Sequence, residues 1–196
     1  MKRAVLVTVL GGLASGVTAQ SLSVHLSFDA TDSVIGGIVT ASVSASFTGQ
    51  PDGAYLSSVG IDLIASSTGV YDVVDVAPVA WNNAGLGFDG QGVGSGSDVL
   101  GINASQFSLI PPVTAGSPIL ITTFRLIRVG SGTISYQAGV VDGAPFAFSV
   151  TGAAFSDQPV PYGVDVFTSD TLNGTPTPGA LGMLGVCGLL AGRRRR

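Results

Sequence analysis

Val39-Thr40-Ala41-Ser42-Val43-Ser44-Ala45-Ser46-Phe47 places an apolar side chain at every odd position and a hydroxyl at every even one. Successive side chains of an extended chain point to opposite faces, so this run predicts a strand with one face in a core and the other in water. Upstream, Leu22, Val24, Leu26 and Phe28 alternate in the same way with Ser23, His25, Ser27 and Asp29. Downstream, Gly49-Gln50-Pro51-Asp52-Gly53 marks a turn. Further strand signals follow at Val59 to Leu63, Val70 to Val76, Val99 to Leu109 and Ile119 to Ile127, then at Thr133 to Val141 and Phe146 to Val150. Eight or nine strands separated by turn residues, with no helical period between them, predict an all-β fold: a two-sheet β-sandwich with Greek-key or jelly-roll connections. Between Asn82 and Ser97, glycines at 85, 87, 90, 92, 94 and 96 leave few bulky apolar groups, which predicts a long exposed loop. Pro111 and Pro112 make another break, and the stretch from Pro159 onward reads as a linker leaving the domain.

Composition supports the strand reading. All twelve acidic residues of the chain are aspartates lying between positions 29 and 170, and the same region holds only two cations, Arg125 and Arg128. With no lysine or glutamate there, and with Val, Ile, Thr, Ser and Gly dominant, strands and turns are favoured over helices. Two positive against twelve negative charges give this body a formal charge of minus ten. Such a surface repels nucleic acid, whose binding rests on neutralising phosphates with Lys and Arg.

The ends carry the remaining cations. Lys2 and Arg3 precede an apolar run from Ala4 to Leu13 and a small-residue stretch ending Val17-Thr18-Ala19. That order predicts a secretory signal helix over residues 1–19, handed to a secretion channel and cut after Ala19 by signal peptidase. At the other end, Pro176-Thr177-Pro178-Gly179 precedes an apolar stretch from Ala180 to Gly192 and then Arg193, Arg194, Arg195 and Arg196. Thirteen residues rise about 20 Å as a helix, short of a hydrocarbon core of about 30 Å. The arginines act as a membrane stop, because guanidinium groups cross lipid poorly. Proline motif, short apolar helix and arginine cluster together resemble the PEP-CTERM sorting tail of Gram-negative bacteria. That resemblance implies recognition and cleavage by an exosortase-like protease, transient anchoring in the inner membrane, and delivery to the cell surface, outer membrane or extracellular matrix. Pro176 and Pro178 match the family's two prolines, whereas Thr177 stands where its motif has Glu. The organisation read from the sequence is therefore a signal over 1–19, a sandwich over 20–158, a linker with the sorting motif over 159–179, and an apolar segment with its arginines over 180–196.

Little in the body suggests catalysis. The single histidine, His25, falls on the polar face of the first strand and lacks a nucleophile motif beside it. The only cysteine, Cys187, lies in the apolar tail, so a zinc site has almost no ligands to draw on. Calcium, which takes carboxylates and carbonyls, is the metal this composition admits, at Asp29 with Asp32 or at Asp89 with Asp98; aspartates that cap their own turns explain the same residues more simply. No other cofactor is implied. Trp81, the only tryptophan, is near Tyr71 in sequence and beside Asn82 and Asn83, a grouping that would serve as a platform for an extracellular polysaccharide if both rings were exposed. Gly37 to Phe47, Ile119 to Leu126 and Gly132-Thr133-Ile134 resemble the early and late strands of cohesin-like or carbohydrate-module sandwiches of bacterial surface proteins. The leading reading is a non-enzymatic exported surface or matrix protein. Its alternatives are a carbohydrate-binding module and a polysaccharide hydrolase using paired aspartates.

Overall fold

The computed structural model describes residues 21–48, 55–80, 88–89, 91–106, 117–139, 147–151, 160–162 and 166–174. The signal, Trp81, the sorting motif Pro176, Thr177, Pro178 and Gly179, the apolar helix and Arg193, Arg194, Arg195 and Arg196 lie outside these residues, as do the side chains of Phe88 and Asp89.

The described chain is all-β. Its strands are β1 (Ser21–Phe28), β2 (Ile38–Thr48), β3 (Tyr55–Ala65), β4 (Tyr71–Val76), β5 (Phe88–Asp89), β6 (Val93–Ser95), β7 (Asp98–Ser105), β8 (Ile119–Arg128), β9 (Gly132–Ile134), β10 (Tyr136–Gly139), β11 (Ala147–Thr151), β12 (Val160–Tyr162), β13 (Val166–Ser169) and β14 (Leu172–Gly174). One sheet runs β13-β1-β2-β8-β4. The other runs β12-β11-β3-β7-β5, with β10 also on β3 and β6 also on β7. β9 and β14 form a two-stranded ribbon. β1 pairs antiparallel with β2 but parallel with β13, so a strand from each end of the described chain lies at one edge of one sheet.

The alternation in the sequence is what closes the sandwich. On β1, Leu22, Val24 and Leu26 are wholly buried, and across the register Phe47, Ala45 and Val43 on β2 join them. From the opposite sheet Leu56, Val59, Ile61, Leu63, Val99 and Ile102 meet this layer. Phe124 on β8 and Tyr136 on β10 tie the two layers together edge to face, with ring centroids 5.5 Å apart. The outward side of β1 and β2 is the hydroxyl ladder expected of it, with Ser23 opposite Ser46 and Ser27 opposite Ser42.

Two expectations need correction. The glycine-rich stretch is not one loop, since β5 and β6 both pair with β7 inside it. Alternating glycines hide a strand from any reading of periodicity, yet Gly94 requires that composition: a Cβ there would come within 2.7 Å of Val73 Cγ1 on β4. Nor does the chain leave the domain at Pro159. β12 pairs with β11, β13 with β1 and β14 with β9, and Leu172 is wholly buried. The strands are three or four residues long, too short to show a period of two.

Tyr136 and Tyr71 make the core pH-sensitive on the alkaline side. Burial raises the Tyr136 phenol well above its ordinary value, and the carboxylate of Asp98 adds to the shift; burial likewise raises Tyr71. The neutral form is therefore favoured in the folded state, and the stability it confers is complete below the unfolded phenol's pKa of about 10 and declines above it. Spectrophotometric titration should find Tyr136 and Tyr71 ionising above the ordinary phenol range, with stability falling from about pH 10 upward. All four titrating together in folded protein near pH 10 would contradict this.

Candidate functional site

The two sheets come edge to edge where β4 meets β6. Val73 N donates to Gly96 O at 2.7 Å, Ser97 Oγ to Tyr71 O at 2.6 Å, and Gln91 Nε2 to Val76 O. These bonds occupy the outer backbone edge of β4 at both of its ends, which would otherwise be open to pairing with another chain. Between them the β4–β8 register shifts at Val73/Asp75, so Val74 bulges out of the ladder. The result is an open groove of about 390 Å³ floored by Val73, Val74 and Val76 on one side and Gly92, Val93 and Gly94 on the other, with Asp75 and Gln91 at its margins. Val74 is 48% exposed and Val93 68%. Leu100, 36% exposed, stands opposite Val93 in the β6–β7 register and carries the apolar surface onto the seven-stranded sheet. Sequence reading missed this groove because Val74 and Val93 look like core residues until a bulge turns one of them and alternating glycines isolate the other.

Tyr71 does not form a platform. Its ring is fully buried and its hydroxyl donates to Asn173 O at 2.7 Å. Around it lies a buried polar knot. Arg128, almost fully buried, donates from Nε to Gly130 O at 2.7 Å and from Nη1 to Ser33 O. Asp32 and Arg128 both act electrostatically on the Tyr71 phenol, from opposite sides of its ionisation. Asn173 N donates to Thr31 O at 3.0 Å, and Asp32 forms a β-bridge with Asn173. The knot therefore joins the β1–β2 connection, the end of β8 and β14.

Three of the aspartates considered as calcium ligands, Asp29, Asp32 and Asp98, serve the backbone. Asp29 Oδ1 accepts from Thr40 N at 2.9 Å and Asp32 Oδ1 from Ser33 N at 2.7 Å. Asp98 Oδ1 accepts from Ala65 N at 2.8 Å. Asp62, which the sequence did not single out, accepts from Gly101 N at 2.6 Å. There the β3–β7 register shifts, and Gly101 takes a φ of +72° that suits glycine. Asp29 and Asp32 are near each other in sequence, whereas Asp98 belongs to β7; among the described residues no three His, Cys, Asp or Glu side chains gather as a metal site. His25 is on the solvent face of β1, where Nδ1 lies 2.8 Å from Thr168 Oγ1 and Nε2 lies 3.8 Å from Asp170 Oδ1.

The outward face of the seven-stranded sheet is mixed in character. It presents Ser58 and Ile64 of β3, Asn103 and Ser105 of β7 and Gln137 of β10, grading into Leu100 and the groove.

No protein-family model and no curated protein sequence match the chain. Its fold is similar to solved cohesin modules. A type II cohesin of Acetivibrio cellulolyticus, solved as the Coh3ScaB-XDoc_M1ScaA cohesin–X-dockerin complex, matches with a TM-score of 0.56 at 11% identity, over 79% of this chain and 100% of that one. The second type II cohesin of the ScaA scaffoldin of the same organism gives 0.54 at 10% identity, over 80% and 98%. The sixth cohesin of its scaffoldin B, solved with a mutant Cel5 dockerin, gives 0.51 at 11% identity, over 78% and 99%. The likeness is one of fold, and it covers nearly the whole of each module.

Proposed function

We propose that this chain is a non-enzymatic binding module that works outside the cytoplasm, holding a protein partner on its seven-stranded sheet after export by the N-terminal signal and sorting by the C-terminal tail. The observation that carries the reading is the sandwich itself: its fold is similar, over nearly their whole length, to cohesin modules of which two were solved in complexes with dockerins. The face suits such a role chemically. Small polar side chains beside Leu100 and Ile64 supply hydrogen bonds around an apolar centre, the usual composition of a protein-binding patch. The formal charge of minus ten on the body favours a partner rich in Lys and Arg. The polysaccharide platform loses its support because Tyr71 is buried. Paired-aspartate hydrolysis is not favoured either, since the carboxylates located at Asp29, Asp32, Asp62 and Asp98 accept backbone amides.

A photo-crosslinking residue at Asn103 or Gln137, installed in producing cells, should yield a discrete protein adduct, whereas the same residue at Ser42 or Ser44 on the opposite sheet should not. Equal labelling from both faces, or none from either, removes the partner reading. For sorting, residues 175–196 fused to a reporter should hold it at the membrane and then be trimmed; a reporter left soluble and whole removes that part.

A further inference from the structure

The turn between β1 and β2 carries unusual residues for a turn that faces water. Gly37 N donates to Val34 O at 2.8 Å and Gly36 takes a φ of +81°, so Val34 and Ile35 fill the turn's first two positions. Those places ordinarily hold Asp, Asn, Ser or Pro. Val34 and Ile35 are instead 60% and 59% exposed. The backbone holds the turn against the end of β8, since Gly36 N donates to Arg128 O at 2.9 Å and Arg128 N to Gly37 O at 3.0 Å. Ile38, opposite Ile127 in the β2–β8 register, and Val129, the residue after β8, are exposed beside it. These four aliphatic side chains make an apolar tip at one end of the five-stranded sheet, of the kind that marks a contact surface. Neither residues 33–38 nor residues 129–134 include a charged side chain, although the body carries a formal charge of minus ten. Where the chain goes next says what covers the tip. β14 pairs with β9, and a Cβ on Gly174 would come within 3.2 Å of Gly130 O, so the described chain ends next to Val129. Only residues 175–179 separate Gly174 from the apolar stretch that begins at Ala180, so the two are at most about 22 Å apart. With that stretch in a bilayer, this end of the sandwich is held at the membrane surface.

We propose that Val34, Ile35, Ile38 and Val129 are a lipid-contacting tip, which seats the sandwich on the membrane while the C-terminal segment is attached. The surface it fits is zwitterionic. Apolar side chains settle at the boundary of headgroups and acyl chains, whereas anionic lipid repels the acidic body. An uncharged tip offers little to a partner rich in Lys and Arg, and a second copy would bring a second body of formal charge minus ten. Four aliphatic groups hold a bilayer weakly by themselves; the short tether makes the contact intramolecular and raises its effective concentration. The proposal rests on the reading of residues 180–192 as a membrane segment, and its test separates the two.

The signal-free chain, with an oligohistidine tag after Arg196, is captured on phosphatidylcholine vesicles doped with a nickel-chelating lipid. Cys187→Ser removes the only native thiol, and Ile35→Cys carries an environment-sensitive dye. On capture the dye should shift to the blue and lose most of its emission to a nitroxide placed high on the acyl chains. A nitroxide near the bilayer centre should quench it less, because interfacial groups sit only about 5–10 Å deep. The same dye on Ser44→Cys, in the outward ladder of β2, should show neither change. Val34→Ser with Val129→Ser should abolish both changes at residue 35, and these positions are exposed, so the fold is kept. Imidazole reports on the tail separately: it releases a chain held by the tag alone and leaves one whose apolar segment has entered the bilayer. A residue 35 dye that stays in water overturns the tip in either case, and with the chain resistant to imidazole it leaves the membrane reading of the tail standing. Equal quenching at residues 35 and 44, or quenching that survives the serine pair, overturns the tip as well.

Discussion

Replacing Arg128 with alanine should lower stability by about 3 kcal/mol, since each of two charge-assisted bonds contributes about 1.5 kcal/mol or more. Those bonds run to Gly130 O and Ser33 O, and the loss of the side chain leaves both carbonyls without that donor inside the knot. For a domain of this size that is a fall in melting temperature of about 6–12 °C. Arg128→Lys should recover little of it, because an ammonium is a point donor and cannot span two carbonyls as the planar fork does. Calorimetry on the three proteins decides the matter; a lysine variant as stable as the parent would mean that charge alone, not the fork, holds the knot. The buried guanidinium has another side to it: among the described residues Nη2 finds no hydrogen-bond partner. Burying an incompletely satisfied cation is costly, so the net value of Arg128 is smaller than its two bonds suggest, and the alanine figure is mainly the cost of orphaned carbonyls.

The second large effect is expected at Leu172. Its side chain is wholly buried, and β14 pairs through it with Ile134, also wholly buried. Truncating a fully buried leucine costs about 2–5 kcal/mol, so Leu172→Ala should melt at least several degrees below the parent. A linker residue at this position would tolerate the change within about 0.5 kcal/mol. Urea denaturation distinguishes the two outcomes, and an unchanged midpoint would return residues 172–174 to the linker.

The contrast between those residues and β2 explains what could be read from the sequence. Ten residues of strict alternation on β2, from Val39 to Thr48, fix both the element and its buried face; β1 follows for the same reason, and β3, β4, β7 and β8 from their density of apolar residues between turn signals. β5, β6, β12, β13 and β14 span two to four residues each, which is at most two full periods of a strand. Their pairing comes from partners already in place and not from any pattern of their own. The site was less legible than the fold. Tyr71 was singled out with the wrong orientation, since only the register of β4 on β8 sends its ring inward to Asn173. Val74 and Val93 carry no signal in one dimension, because their exposure depends on a bulge in one sheet meeting the edge of the other. The aspartates were ambiguous between ligand and backbone cap, and at Asp98 the donating amide, that of Ala65, lies on a different strand.

The central claim is that an acidic β-sandwich is carried out of the cytoplasm by signals at both ends and acts there. Intact-mass spectrometry of the protein recovered from producing cells tests it most directly. The account predicts a chain in the envelope or medium that begins at Gln20 and lacks Arg193 to Arg196. Recovery of the complete Met1–Arg196 polypeptide from the cytosol would contradict it.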